Sequence, residues 1–313
     1  MTPRAELVSA ARDTIALGSQ SFAAASKLFA PATQERAWLL YAWCRAADDL
    51  TDGQELGHAA TGAGTGTGTG AETQARLEAL TATALDSHAE VPLAFEALRE
   101  VAQETAMPRR LIEDHLAGFA LDAADWRPQT AQDLLRYCYH VAGTVGCMMA
   151  VVMGVPPQDD DTLDRACDLG LAFQLANIAR DVVPDAAADR CYIPAAWLAE
   201  CRLKEADLAQ PAHREAVAML AQRLVAMAAP YRASARIGAA RLPYRSRLAV
   251  LAADGIYGAI GEQVAALGAC AWDQRVRISG SGKLRLVAVA ALRSLSRGGQ
   301  ASRAGLWTRP RQP

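Results

Sequence analysis

Apolar residues recur at three- and four-residue spacing along almost all of the chain, as in "ERAWLLYAWCRAADDL", "RLEALTATAL" and "REAVAMLAQRLVAMAAPYRASARIGAARL". That period is the helical one, because side chains three and four positions apart share a helix face. Alternation of period two, bounded by turn residues, is hard to find. The breaks are short: "FAPAT" near 29, "VPPQDDD" near 155, "QPAH" near 210 and "LPYRS" near 242. Helices joined by short loops predict an all-α bundle. Composition agrees, since 51% of the 313 residues are hydrophobic, only 6% are aromatic, and Ala and Leu dominate.

Two segments depart from the period. Residues 57–72, "GHAATGAGTGTGTGAE", have nothing to bury and read as a flexible Gly/Thr loop between helices. No GK followed by Ser or Thr ends that run, so it is not a phosphate-cradling nucleotide loop. After about Arg297 the chain carries arginines without acids, and residues 298–313 read as a disordered tail with a weak attraction to anionic lipid. Residues 1–297 are expected to form a single domain.

Charge and cysteine usage exclude several classes. Lys and Arg total 32 against 34 Asp and Glu, which leaves no surplus to neutralise a nucleic-acid backbone, and no nucleic-acid partner is expected. Seven scattered cysteines without CxxC pairs, and five isolated histidines, fit free thiols in a reducing, cytoplasmic setting better than disulfides or zinc. The N-terminus carries charges where a signal peptide would be apolar. The longest apolar run, residues 141–155, is shorter than the ~20 residues of a membrane span and reads as a buried helix.

The chemistry concentrates in two acidic clusters. In "DDLTD", Asp48 and Asp52 stand four apart, about one helical turn on one face. In "QLANIARDVVPDAAADRCYIP", Asn177, Asp181 and Asp185 repeat that spacing over two turns, with Gln174 a turn earlier. Acidic pairs on a solvated helix are common, and like charges at that spacing repel by a few tenths of a kcal/mol. The strongly apolar context "DLGLAFQLANIARDVV" instead turns the second set toward a cleft. Carboxylates in a cleft need counter-charge, which Mg²⁺ with phosphate oxygens supplies. Two such clusters suggest a diphosphate held through Mg²⁺ between them, with Arg45, Arg180 and Arg190 completing the grip. Pro184 removes a backbone donor, so a kink or helix end is expected near Val183, which puts the aim of Asp185 in question.

"YAWCRAADDLTD" and "QLANIARDVVPDAAADRCYIP" resemble the two aspartate-rich motifs of the squalene and phytoene synthase family. The likeness extends in order through "SQSFAAASKLF", "HLAGFALD", "YCYHVAGTVGCMM", "DGIYGAIG" and "AWDQRVRIS", and is greatest to the bacterial phytoene synthase branch. The resemblance implies an isoprenoid synthase type helical bundle around a central apolar cavity. It also implies head-to-head condensation of two geranylgeranyl diphosphates, through prephytoene diphosphate, to phytoene with release of two diphosphates, a step of carotenoid biosynthesis. A farnesyl-using squalene or dehydrosqualene synthase is the nearest alternative. A catalytically inactive member acting as a binding or assembly protein is a remoter one.

Carried onto this chain, the resemblance makes Asp48, Asp52, Asn177, Asp181 and Asp185 the ligands of Mg²⁺, with Mn²⁺ as a substitute. Ser19 and Ser21 would hydrogen-bond diphosphate and Phe22 would meet the first isoprene units. Tyr41, Tyr137 and Tyr257 would line the cavity, where a ring face stabilises a carbocation. Arg275 would be a late phosphate ligand. Gly143 and Gly146 would leave room for a prenyl chain, close helix contact being the equal alternative. No dinucleotide fingerprint is visible and no NADPH is expected. Two positions depart from the family pattern: Pro184, and Asp189 where glycine commonly precedes Arg-x-Tyr. Peripheral contact with the membrane that receives phytoene, and other carotenoid enzymes, are the further partners implied.

Overall fold

The computed structural model describes residues 2–18, 23, 25–52, 54–55, 58–59, 70–295 and 302–311. Helices dominate the described residues. They are α1 (Arg4–Gly18), α2 (Pro31–Asp52), α3 (Gly70–Asp86), α4 (Leu93–Thr105), α5 (Arg109–Ala123), α6 (Ala131–Cys138), α7 (Thr144–Val152), α8 (Asp160–Ala187), α9 (Ala195–Glu200), α10 (Arg214–Ala239), α11 (Tyr244–Leu267) and α12 (Gly280–Ser294). A π-helical turn, Tyr139–Gly143, joins α6 to α7. The only strands among the described residues are two antiparallel pieces of two residues, Gln54–Glu55 and His58–Ala59.

The chain gathers into two compact units, one of residues 1–124 and 148–158, the other of residues 125–147 and 159–313. In the first, α2 packs on α1 and α4, with Leu39, Leu40, Trp43, Phe95 and Leu98 buried. His115 of α5 sits edge-on between Trp43 and Phe119, at ring distances of 5.5 and 5.0 Å. In the second, α8 packs along α10 and is also flanked by α11 and the π-helical turn. Leu163, Leu171, Leu175 and Ile178 of α8 and Val217, Leu220 and Leu224 of α10 are buried.

Local signals explain where these helices begin and end. Thr130 and Asp133 form a reciprocal cap on α6: Asp133 N–H donates to Thr130 Oγ1 at 3.2 Å, and Thr130 N–H to Asp133 Oδ2 at 2.9 Å. Asp159 caps α8 by accepting from Thr162 N–H at 3.1 Å. Small residues set the approach of α8 to the segment before it. A Cβ on Gly143 would lie 2.9 Å from Cys167 Sγ, and one on Gly146 or Gly170 would strike the carbonyl of Ala166 or Ala142 respectively. Of the two readings left open for Gly143 and Gly146, room for a prenyl chain and close helix contact, these distances favour helix contact.

Three other expectations change. Residues 58–59 and 70–72 of the expected Gly/Thr loop are strand and helix, and residues 60–69 lie outside the described residues. Helix α8 does not stop near Val183 but runs through the exposed Pro184 to Ala187. Pro184 stands within the last turn, so it forfeits a single ladder bond. The end is then closed by Asp189 N–H to Ala186 O at 3.1 Å and Arg190 N–H to Asp185 O at 2.8 Å. That closure requires a left-handed residue, and Asp189 takes it with φ of 59°, which is why glycine suits the position and aspartate is tolerated.

The third change concerns the C-terminal tail. Residues 302–311, expected to be disordered, are anchored to the acidic first half of α8. Arg303 donates to both oxygens of Asp168 at 2.8 Å and to Asp164 at 3.2 Å, and Arg309 pairs with Asp160 and Asp164. Trp307 lies 5.3 Å from the Tyr139 ring, and its N–H donates to the Tyr231 hydroxyl at 3.2 Å. The arginines are held by acids far away in sequence, which leaves them little to offer a lipid surface.

Candidate active site

Helix α8 supplies most of the site because its sequence is apolar on all sides but one. Phe173, Gln174, Asn177, Arg180, Asp181 and Asp185 are half-buried along one stripe, whereas Leu171, Leu175, Ile178, Ala179, Val182 and Val183 are buried. A polar stripe on an otherwise buried helix is the pattern of a wall lining a cleft.

Asp181 is the focus of charge. It accepts from Arg180 Nε at 2.9 and 3.1 Å, and from Arg275 at 3.2 Å. Arg275 comes from the loop before α12, 94 positions further along the chain. The expected late phosphate ligand and an expected metal ligand therefore meet. Asp185, one turn on, remains part of this group despite Pro184. Burial, and then the negative charge of Asp181, push its carboxyl up to about 6, against the pull of Arg190, Arg180 and Arg275. Arg190 itself is exposed.

Tyr257 of α11 stacks on Phe173 at 4.0 Å with an angle of 14° between the rings. Burial pushes its phenol up, opposed by the nearby charge of Arg180. Tyr137 is placed otherwise than expected. It is buried and stacks with both Trp126 at 5.8 Å and Tyr192 at 4.9 Å, so its ring packs in a cluster of three aromatic rings.

Helix α2, in the other unit, carries Tyr41, Arg45 and Asp48 on one face at i, i+4 and i+7, and ends at Asp52. Arg45 Nε donates to Asp49 Oδ1 at 3.0 Å, so Asp49 is a partner that the sequence reading left out. Asp48 is exposed, and its charge adds to burial in raising Tyr41 and Cys44. Gly18, the last residue of α1, lies beneath Tyr41, where a Cβ would stand 2.7 Å from the hydroxyl. Ser19, Ser21, Phe22 and the Asp52 side chain lie outside the described residues.

Among the described residues, no group of three or more His, Cys, Asp and Glu side chains encloses a metal position. The donors come instead as Asp181 with Asp185, beside the amide of Asn177. That set suits Mg²⁺, which takes one or two carboxylates and completes its shell with water and phosphate oxygen. Asp181 and Asp185 stand one turn apart on the half-buried stripe of α8 with Asn177 one turn before Asp181, a donor set of that kind.

The raised carboxyl of Asp185 yields a signed expectation for stability. Asp185 ionises near 3.8 when unfolded and near 6 when folded. Stability is therefore lost as pH rises from about 4 through 6, by about 2 kcal/mol once the ~3 kcal/mol of the full shift is discounted for solvent screening of the half-buried carboxylate. Asp185→Asn is expected to be more stable than the parent by that amount above pH 7 in metal-free buffer, with the gain vanishing toward pH 4. Urea titrations at the two pH values check it, and an equal difference at both would sink it.

The sequence matches the squalene/phytoene synthase model over residues 15–281. It is 45% identical over 307 residues to a phytoene synthase of Pseudescherichia vulneris, covering 97% of this chain and 98% of that one. It is 48% identical over 297 residues to a 15-cis-phytoene synthase of Enterobacter agglomerans, covering 94% and 99%. A solved dehydrosqualene synthase shares the fold with a TM-score of 0.79 at 23% identity, over 92% of this chain and 96% of that one. With the matched residues spanning both aspartate-rich helices, the chain belongs to the squalene/phytoene synthase family.

Proposed function

We propose that this protein is a phytoene synthase, joining two geranylgeranyl diphosphates head to head with loss of two diphosphates and two protons, one as the cyclopropane of prephytoene diphosphate closes and one as the final double bond forms. The observation that carries the reading is the meeting of Arg180 and Arg275 at Asp181, with Asp185 one turn away. The choice of substrate rests on relatives called phytoene synthase that match over nearly their whole length. The unbroken match across both compact units supports one catalytic domain.

Ionising an allylic diphosphate needs the leaving charge neutralised. Asp181, Asp185 and Asn177, and separately Asp48 and Asp52, would hold Mg²⁺, which supplies electrostatic stabilisation of that charge. Arg180 and Arg275 are within reach of Asp181 and turn from it to diphosphate oxygens, with Gln174 beside them on the α8 stripe. Arg45, paired with Asp49 on α2, would do the same for diphosphate held at Asp48 and Asp52. Tyr257, backed by Phe173, offers a ring face to the allylic cation. No residue in this scheme delivers hydride, and proton loss completes the product.

Purified protein incubated with Mg²⁺ and either geranylgeranyl or farnesyl diphosphate should yield phytoene from the former, and chelation should abolish it. A hydrocarbon from farnesyl diphosphate alone would make it a dehydrosqualene-type enzyme. No hydrocarbon from either would sink the enzymatic reading.

A further inference from the structure

Helix α11 meets two helices with two neighbouring faces. Tyr257 stacks on Phe173 of α8, and one turn on, Gly261 brings the backbone against the same helix, where a Cβ would stand 3.7 Å from the Ala176 methyl. The adjoining face, with Asp254 and Gly258, turns to α10. Asp254 is 1% exposed and takes two cations: Arg232 Nε donates to its Oδ1 and Arg236 Nε to its Oδ2, each at 2.7 Å. Arg232 also donates to the Asp254 carbonyl at 3.2 Å and to Glu262, two turns on, at 3.0 Å. Its guanidinium thus lies along α11, and it can do so only over a residue without a side chain, because a Cβ on Gly258 would run into it.

A buried carboxylate held by two guanidinium groups is a costly joint where packing alone would serve, since apolar replacements of such groups are often neutral or stabilising. What it adds is direction. Charge-assisted hydrogen bonds fix angle and register where an apolar contact would let α11 turn. We propose that Asp254, clamped by Arg232 and Arg236, is the positioning residue for Tyr257. Residues 254 and 257 lie about 60° apart around the helix and less than one turn along it, so whatever holds the carboxylate holds the ring. Side chains reach about 5–6 Å from a helix axis, and turning α11 by ~10° carries the ring roughly 1 Å, a misplacement that can cost about a hundredfold in rate. The inference rests on the reading of Tyr257 as a face for the allylic cation.

Two variants test it. Gly258→Ala keeps every charge and favours the helix, but its methyl displaces the guanidinium of Arg232. Asp254→Asn keeps the shape and removes the charge that both arginines share. In each, kcat with geranylgeranyl diphosphate is expected to fall about tenfold or more per mole of folded protein, with KM within about twofold of the parent, because the binding groups on α8 are untouched. The protein is also labelled with 3-fluorotyrosine, the Tyr257 resonance being the one lost in Tyr257→Phe. That resonance should move in both variants. It should return toward its parent position when Arg232→Ala is added to Gly258→Ala, since the clash is gone and Arg236 still answers Asp254. If Asp254→Asn fails to fold, the glycine variant decides alone. Turnover of Gly258→Ala within about threefold of the parent, or lost turnover with an unmoved Tyr257 resonance, would each overturn the assignment. A parent that makes no hydrocarbon removes the enzymatic reading instead, and the fluorine spectra still decide whether Asp254 positions Tyr257.

Discussion

Asp181→Asn is expected to cut phytoene formation by about three orders of magnitude while leaving helix content unchanged. The substitution preserves size and one acceptor oxygen but removes the charge toward which Arg180 and Arg275 both point. The loss should fall on kcat, because the carboxylate acts on charge that develops as the diphosphate departs. Binding of inorganic diphosphate should hold or tighten, since two guanidinium groups are released from their internal partner. Asp181→Glu should recover more activity than asparagine. Steady-state assays with geranylgeranyl diphosphate, beside calorimetric titration of diphosphate, separate the two effects. Turnover within tenfold of the parent would remove Asp181 from the metal site.

The contrast between α8 and its partners shows how far residues alone could lead. The periodicity of α8 was readable because fifteen of its residues are buried in a pattern that only a helix repeats. Its polar stripe was readable for the same reason, as Gln174, Asn177, Asp181 and Asp185 interrupt that pattern at one angle. The contact of Asp181 with Arg275 was not readable from spacing, since 94 residues separate them; only the family motifs brought them together. The pairing of Arg45 with Asp49 follows the i, i+4 rule and lay within reach. Phe173 was hidden by its context, because an aromatic within an apolar run reads as core until the facing residue, Tyr257, is known.

Tyr137 and Pro184 fail in instructive ways. A tyrosine in a family block suggests a cavity, yet Tyr137 is buried and stacks with both Trp126 and Tyr192. A proline predicts a break, but its cost depends on how many bonds remain downstream, and α8 had only its last turn left. Gly143 and Gly146 had two physical explanations of equal weight in the sequence. The carbonyls of Ala142 and Ala166, lying where side chains on α8 and α7 would start, decide for helix contact.

The C-terminal segment was misread because a stretch of arginines without acids has no visible partner. The partners are Asp160, Asp164 and Asp168, which a sequence view assigns to an acidic helix start. Asp168 is fully buried and Asp164 is 2% exposed, so their charges depend on Arg303, Arg309 and Arg311. Arg303→Ala is therefore expected to destabilise the protein by about 3–5 kcal/mol, the usual consequence of leaving a buried charge without its partner. Asp168 makes the loss depend on pH. Burial already raises its carboxyl, and Arg303 is the group that chiefly opposes the rise. Without Arg303 the folded carboxyl titrates higher still, so the variant's deficit is small in acid and full above neutrality. Adding Asp168→Asn should restore much of the loss, because a neutral amide no longer needs the guanidinium. Urea midpoints of the parent, both single variants and the double at pH 5 and pH 8 test this. A deficit below about 1 kcal/mol at pH 8 would mean that the C-terminal segment rests on α8 without supporting it.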